Sequence, residues 1–185
     1  STRLEVPGGV YPVEVRPTTQ STAVLSANVK LLPVLSWGLF AHGLAAGSAP
    51  ADRKLALSAL PVGAKDAGGA TRLRVVHASP DAPAVDVLAG GKALLSALPF
   101  PRATGYLDFA GGLPATTLKV RASGQPKDLF DIVIETGVAN ATRGQNVTVF
   151  ATGLVGTTPT SFQAVAVVET GTQPTAVALP TTPSL

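Results

Sequence analysis

Cysteine and methionine are both missing from these 185 residues, histidine occurs twice, tryptophan once, and only 14% of the side chains are charged. Each shortage removes a class of function. Without cysteine there are no disulfides, no thiolate nucleophiles and no thiolate-ligated metals, although this leaves the compartment open. The net charge of +3 comes from scattered lysines and arginines. No basic stripe with interleaved aromatics is present, so nucleic-acid binding is not expected. No apolar run reaches the length of a membrane-spanning helix and no positively charged leader is present, so the sequence is expected neither to span a membrane nor to carry its own export signal. Methionine is absent even at position 1, and Ser1 is therefore expected to be a processed end or a truncation.

What is present is 19 glycines, 16 prolines and 45% hydrophobic residues. That balance suits a turn-rich β-protein and is far from a disordered polyelectrolyte. Short segments rich in Val and Thr are separated by Gly or Pro. They predict strands at 4–6, 10–16, 23–29, 36–42, 55–60, 72–77, 85–89, 92–98, 104–109, 116–122, 129–136, 146–153 and 162–169. Strands this short at this spacing, without a long 3.6-residue period, point to an antiparallel sandwich. The expected buried side chains of the later strands include Val75, Val85, Val87, Leu107, Val120, Ile132, Val149 and Val167. The pairs Gly8-Gly9, Gly90-Gly91 and Gly111-Gly112 lie between strand candidates and read as hairpin turns.

The densest signal is LRVVHASPDAPAVDV at residues 73–87. Leu73, Val75, Val85 and Val87 alternate with the period of a half-buried strand. Between them Pro80 and Pro83 fix their own φ and push Ser79 and Ala82 toward extended backbone, which leaves the turn few alternatives. The later segments LLSALPF, TGYLDFAGG, LKVRASG and NVTVFATGL continue the same style. Together these motifs resemble the bacterial family known as DUF 4397, a domain of unknown function. The resemblance implies secreted or cell-surface β-domains, often in tandem.

Comparison of the chain with itself gives a second signal. STRLEVPGG at 1–9 lies over TGYLDFAGG at 104–112, VEVRPTTQ at 13–20 over LKVRASGQ at 118–125, and FAHGL at 40–44 over FATGL at 150–154. The register moves by 103, 105 and then 110 positions, as small loop insertions would produce. The expected organisation is all-β, as tandem antiparallel Ig-like β-sandwiches. Residues 1–61 form an incomplete first repeat lacking its opening strands, 62–71 a linker, 72–170 a complete second repeat, and 171–185 a Pro-rich C-terminal arm in which TAVAL is either an edge strand or an extended arm. An incomplete repeat leaves strand edges and apolar surface to be covered. Trp37, Leu39, Val177 and Leu179 are the candidate interface residues.

The chemistry-bearing cluster is His77, Ser79, Asp81 and Asp86. A histidine with carboxylates can ligate a divalent metal or move protons. Ser79 and Asp81 are equally the residue types that close turns on backbone N–H groups. One His with two Asp matches no established metal spacing, so the structural reading is the stronger one. No nucleophile elbow, phosphate loop, zinc-protease helix or kinase motif is present. His42 falls where the second repeat has Thr152, which argues against a duplicated catalytic centre. Asn140-Ala141-Thr142 and Asn146-Val147-Thr148 are glycosylation sequons, with a high chance frequency. No cofactor or metal is expected. The sequence therefore predicts a non-enzymatic extracytoplasmic module, structural or adhesive, whose partner is another protein or neighbouring copies in an envelope assembly. The alternatives are a carbohydrate- or metal-binding module using the turn at His77, and an enzyme of unrecognised type.

Overall fold

The computed structural model describes residues 4–33, 35–45, 49–62, 69–156, 161–169 and 174–184. They are organised in two compact units, Thr2–Lys65 and Asp66–Leu185. Most of the expected linker lies outside the described residues. No described helix is long and apolar enough to cross a membrane.

The first unit consists of two antiparallel hairpins. Strand β1 (Gly9–Val15) pairs with β2 (Leu25–Leu31), Val13 lying opposite Ala27. Strand β3 (Ser36–His42) pairs with β4 (Ala56–Val62), Leu39 lying opposite Ala59. In β1 and β2 side chains alternate between half-buried and exposed, as a strand with one apolar face must. Burial stays shallow: Val29, Ala49 and His42 are buried, while Leu4, Val6, Val10, Val24, Leu32, Leu35 and Leu39 are exposed. All of the exposed large hydrophobic residues identified in the described chain belong to this unit. The segment 4–6, expected as a strand, is not one. Gly9 opens β1 and neither it nor Gly8 takes a positive φ.

The second unit builds two five-stranded sheets from β5 (Thr71–Ala78), β6 (Val85–Ala89), β7 (Lys92–Leu98), β8 (Leu107–Phe109), β9 (Thr116–Ala122), β10 (Asp128–Ile134), β11 (Asn146–Thr152), β12 (Gln163–Glu169), β13 (Thr175–Leu179) and β14 (Thr181–Pro183), with one short helix, α1 (Thr136–Ala141). The sheet orders are β14-β10-β9-β6-β7 and β13-β12-β11-β5-β8. Neighbours are antiparallel except β5 and β11, which run parallel with Val75 opposite Val149. The turn Gly90-Gly91 has positive φ at both residues, the geometry that lets a two-residue loop follow the twist of its strands.

Both sheets feed one core. Leu73, Val75, Val147, Val149, Ala164 and Ala166 enter from one side, and Val85, Val87, Leu118, Val120, Phe130 and Ile132 from the other. The rings of Phe130 and Phe162 stack with centroids 4.1 Å apart. Burial of this apolar surface is the main stabilising term. Six of the eight expected core residues are in it, and two are not. Val167 is half-buried while its neighbours Ala166 and Val168 are buried. Leu107 is half-buried in the edge strand β8. The error on β12 has a simple cause: alternating Ala and Val make both of its faces apolar, so the two-residue period does not say which one turns inward.

The C-terminal segment is not a free arm. TAVAL is β13, paired antiparallel along β12 with Leu179 opposite Ala164, and β14 pairs with β10. Leu179 is part of the core and Val177 is half-buried, so this strand uses its apolar side within its own unit. Trp37 is half-buried and its indole N–H donates to the Leu32 carbonyl at 3.2 Å. Leu39 is 42% exposed.

Candidate functional site

The turn between β5 and β6 carries Ser79 and Asp81, with His77 near the end of β5 and Asp86 in β6, and the two prolines bias the turn toward a short, extended path. His77 is the last core-side position of β5. Its Nε2 lies 2.9 Å from the Pro83 carbonyl, and its ring packs edge-on against Phe100. The Ser79 hydroxyl donates to the Gly153 carbonyl at 2.7 Å and reaches Asp81 Oδ1 at 3.2 Å. Asp81 accepts from the backbone N–H of Val155 at 3.0 Å and of Gly156 at 2.7 Å. The motif thus clasps the loop that follows β11.

Burial alone would raise the Asp81 pKa, but the N–H groups of Gly156 and Val155 and the Ser79 hydroxyl outweigh it and hold the carboxyl below its ordinary value. Asp86 does not join the cluster. Its carboxylate takes the N–H of Ala97 at 2.8 Å and of Gly124 at 3.3 Å, tying β6 to the β7 strand and to the loop after β9. The Ala97 N–H is the main reason its carboxyl is also held low, with Ser123, Gly124 and Arg121 adding to it against a partial desolvation penalty.

The arrangement therefore brings His77, Ser79 and Asp81 together and leaves Asp86 apart. Among the described residues no group of three or more His, Asp or Glu side chains is placed to hold a metal. The cavity beside His77 and Ser79 is about 10 Å³ and is lined mainly by apolar side chains such as Val120, Phe130, Ala151 and Phe162. That is the space of one water at most. The chemistry available is that of a latch, in which an ionised carboxylate and a hydroxyl satisfy backbone groups of a neighbouring loop. Of the two sequons, Asn146 and Thr148 are buried within β11, whereas Asn140 is exposed.

A second polar cluster escaped the sequence reading. Arg74 on β5 donates from Nη2 to the Thr148 hydroxyl of β11 at 2.9 Å, and that hydroxyl donates to Glu169 Oε1 of β12 at 3.0 Å. The Tyr106 hydroxyl bonds both Glu169 oxygens at 3.1 Å. The guanidinium groups of Arg72 and Arg74 lie over the Tyr106 ring at 4.9 and 4.7 Å, within cation–π range. Arg72 also pairs with Asp108 at 2.9 Å. Burial first, and the Glu169 carboxylate second, push the Tyr106 hydroxyl above its ordinary pKa against the pull of Arg74, so it stays protonated as a donor. The available signal was a charge inside each of two apolar strands, Arg74 in LRVVHA and Glu169 ending AVAVVE. Only the pairing of β5, β11 and β12 joins them.

No curated protein and no solved structure matches this chain. The family model described as "Domain of unknown function (DUF4397)" matches residues 71–180, from the start of β5 to just past β13. That match takes in every strand of both sheets except β14, the latch at His77 to Asp81, Asp86 and the Arg74 cluster, and the chain belongs to this DUF4397 family.

Proposed function

We propose that this chain is a non-enzymatic extracytoplasmic module, structural or adhesive, built of Ig-like β-sandwich repeats, one complete and one partial. The observation that carries the first part is what the candidate side chains in and beside the β5–β6 turn are bonded to. His77, Ser79 and Asp81 contact backbone groups of their own or an adjoining loop, and Asp86 those of β7 and of the loop after β9. Among the described residues, the cavity that touches His77 and Ser79 is about 10 Å³ and mainly apolar in its lining. A catalytic or ligand site needs polar groups left over to face a substrate; these are engaged in holding loops.

Support for the repeat comes from strand register. One shift of 105 positions carries Val13 onto Leu118 and its partner Ala27 onto Ile132, which are themselves partners. The hairpin β1-β2 thus has the pairing of β9-β10. For β3-β4 the match to β11-β12 needs two shifts, 110 positions for Leu39 onto Val149 and 107 for Ala59 onto Ala166, a loop three residues shorter between the second pair. The extracytoplasmic location and the role in a surface or envelope assembly, with protein partners or neighbouring copies, rest on the family resemblance.

Protease treatment of intact cells tests the location: digestion of the chain while a cytoplasmic marker survives is expected, and full protection would overturn it. For the absence of chemistry, His77→Gln keeps a hydrogen-bonding side chain but removes proton transfer. Unchanged incorporation into the native assembly is expected, whereas loss of a metal or carbohydrate affinity measured for the unsubstituted chain would refute the reading.

A further inference from the structure

We propose that the first unit is an acceptor for a strand pair of the β5–β6 kind, a family segment in which one strand lies parallel to β3 and the next antiparallel to β1. This rests on the repeat reading above. In the second unit β11 has β5 on one side and β12 on the other, and β9 lies between β6 and β10. In the first unit the corresponding strands have one partner each among the described residues: β4 for β3, and β2 for β1.

The burial differences fall where such a strand pair would sit. Leu39 is 42% exposed, while its counterpart Val149 is 1% exposed and lies opposite Val75 of β5. Val13 and Val15 are half-buried, while Leu118 and Val120 are buried; Val120 lies opposite Val87 of β6. Leu25 and Ala27 are half-buried where Phe130 and Ile132 are buried. A third sign comes from β8, which exists as a strand through its pairing with β5. Its sequence counterpart at 4–6 is not a strand, and Leu4 is 81% exposed.

The strand β3, SWGLFAH, also lacks the guards that stop edge strands from recruiting others: it has no Lys, no Pro and no carboxylate. Strand addition to such an edge takes its affinity from main-chain hydrogen bonds and its selectivity from alternate side chains. Transferring the β5–β11 register to β3 sets an apolar residue in the place of Val75 against Leu39, and one in the place of Leu73 against Trp37. The occupant is therefore an alternating apolar strand followed by a Pro-bounded turn and a second apolar strand, the chemistry of residues 71–98.

The test titrates the full chain with a synthetic peptide of residues 71–98 and follows amide hydrogen exchange strand by strand. Expected is one-to-one binding, with exchange in β3 and β1 slowed at least about tenfold and with the effect lost in Leu39→Asp. A peptide carrying Val75→Asp should not bind. If the free peptide aggregates, grafting the same segment ahead of Leu4 through a flexible linker provides the second measurement, with the same protection expected. Absence of protection in both formats would overturn the proposal, as would protection confined to β11 or a dimer of the chain alone that protects β3. Interstrand contacts in the free chain, Val13 to Ala27 and Leu39 to Ala59, test the repeat register independently. With these contacts present and no acceptor behaviour, only the docking fails; without them, both readings fail.

Discussion

Arg74 and Glu169 sit on strands that are not neighbours, yet their side chains meet across β11, Nη2 to Oε1 at 3.5 Å, with the Thr148 hydroxyl bridging them. Both side chains are more than nine-tenths buried. Two charges held away from water are tolerated because each has further partners, the Tyr106 hydroxyl for Glu169 and the Tyr106 ring for Arg74. Removing one partner leaves the other buried and poorly compensated, whereas replacing both by apolar groups can be nearly neutral. Arg74→Met is therefore expected to lower stability by about 3 kcal/mol, and Arg74→Met with Glu169→Leu by clearly less. Urea unfolding of the two variants checks this, and equal losses would argue against a coupled pair.

Asp81 supplies a second prediction. Its carboxyl has a lower pKa folded than the 3.8 of the free group. The unfolded chain therefore binds the proton first on acidification, and the stabilisation is complete above that value and lost as pH falls below it. Asp81→Asn should flatten this acid limb of the stability curve. Asp81→Ala should cost roughly 0.5 to 2 kcal/mol at neutral pH through loss of the loop contacts. Thermal unfolding between pH 2.5 and 7 measures both.

Gly153 and Gly43 both take left-handed backbone, with φ of 87° and 92°. A Cβ on Gly153 would strike the Ser161 carbonyl, and one on Gly43 the Lys54 carbonyl. Substitution to Ala at either site combines disfavoured φ with a backbone clash. A loss of at least about 2 kcal/mol is expected for each, with Gly153→Ala opening β11-β12 and Gly43→Ala opening β3-β4 in hydrogen exchange.

His42 is buried in the first unit, with Nε2 2.8 Å from the Ser58 hydroxyl. Burial lowers its pKa below 6.5. The unfolded form then gains a proton before the folded form does, so the stability of this unit is expected to fall as pH drops below 6.5. Exchange of the β3 amides should accelerate between pH 7 and 5.5, after correction for intrinsic rates, and His42→Thr should remove that dependence.

Much of this molecule was legible without coordinates, because its signals are local. Period-two alternation, Gly and Pro punctuation and the rigid turn at residues 79–83 placed most strands within two residues, and they carried the family resemblance. The residue types of the turn pointed to hydrogen-bonded closure, although which loop Asp81 would hold was beyond reach. The tertiary structure decided what depends on partners distant in sequence. It turned Ala166 and Val168 of β12 inward and Val167 away, a choice that two apolar faces leave undetermined. It drew TAVAL into the sheet beside β12, where Leu179 completes a core that its own segment does not announce. It also brought Arg74, Thr148 and Glu169 together across three strands. Local propensity writes strands into a chain; which edges meet, and which face goes inside, is settled by the mutual burial of surfaces far apart along it.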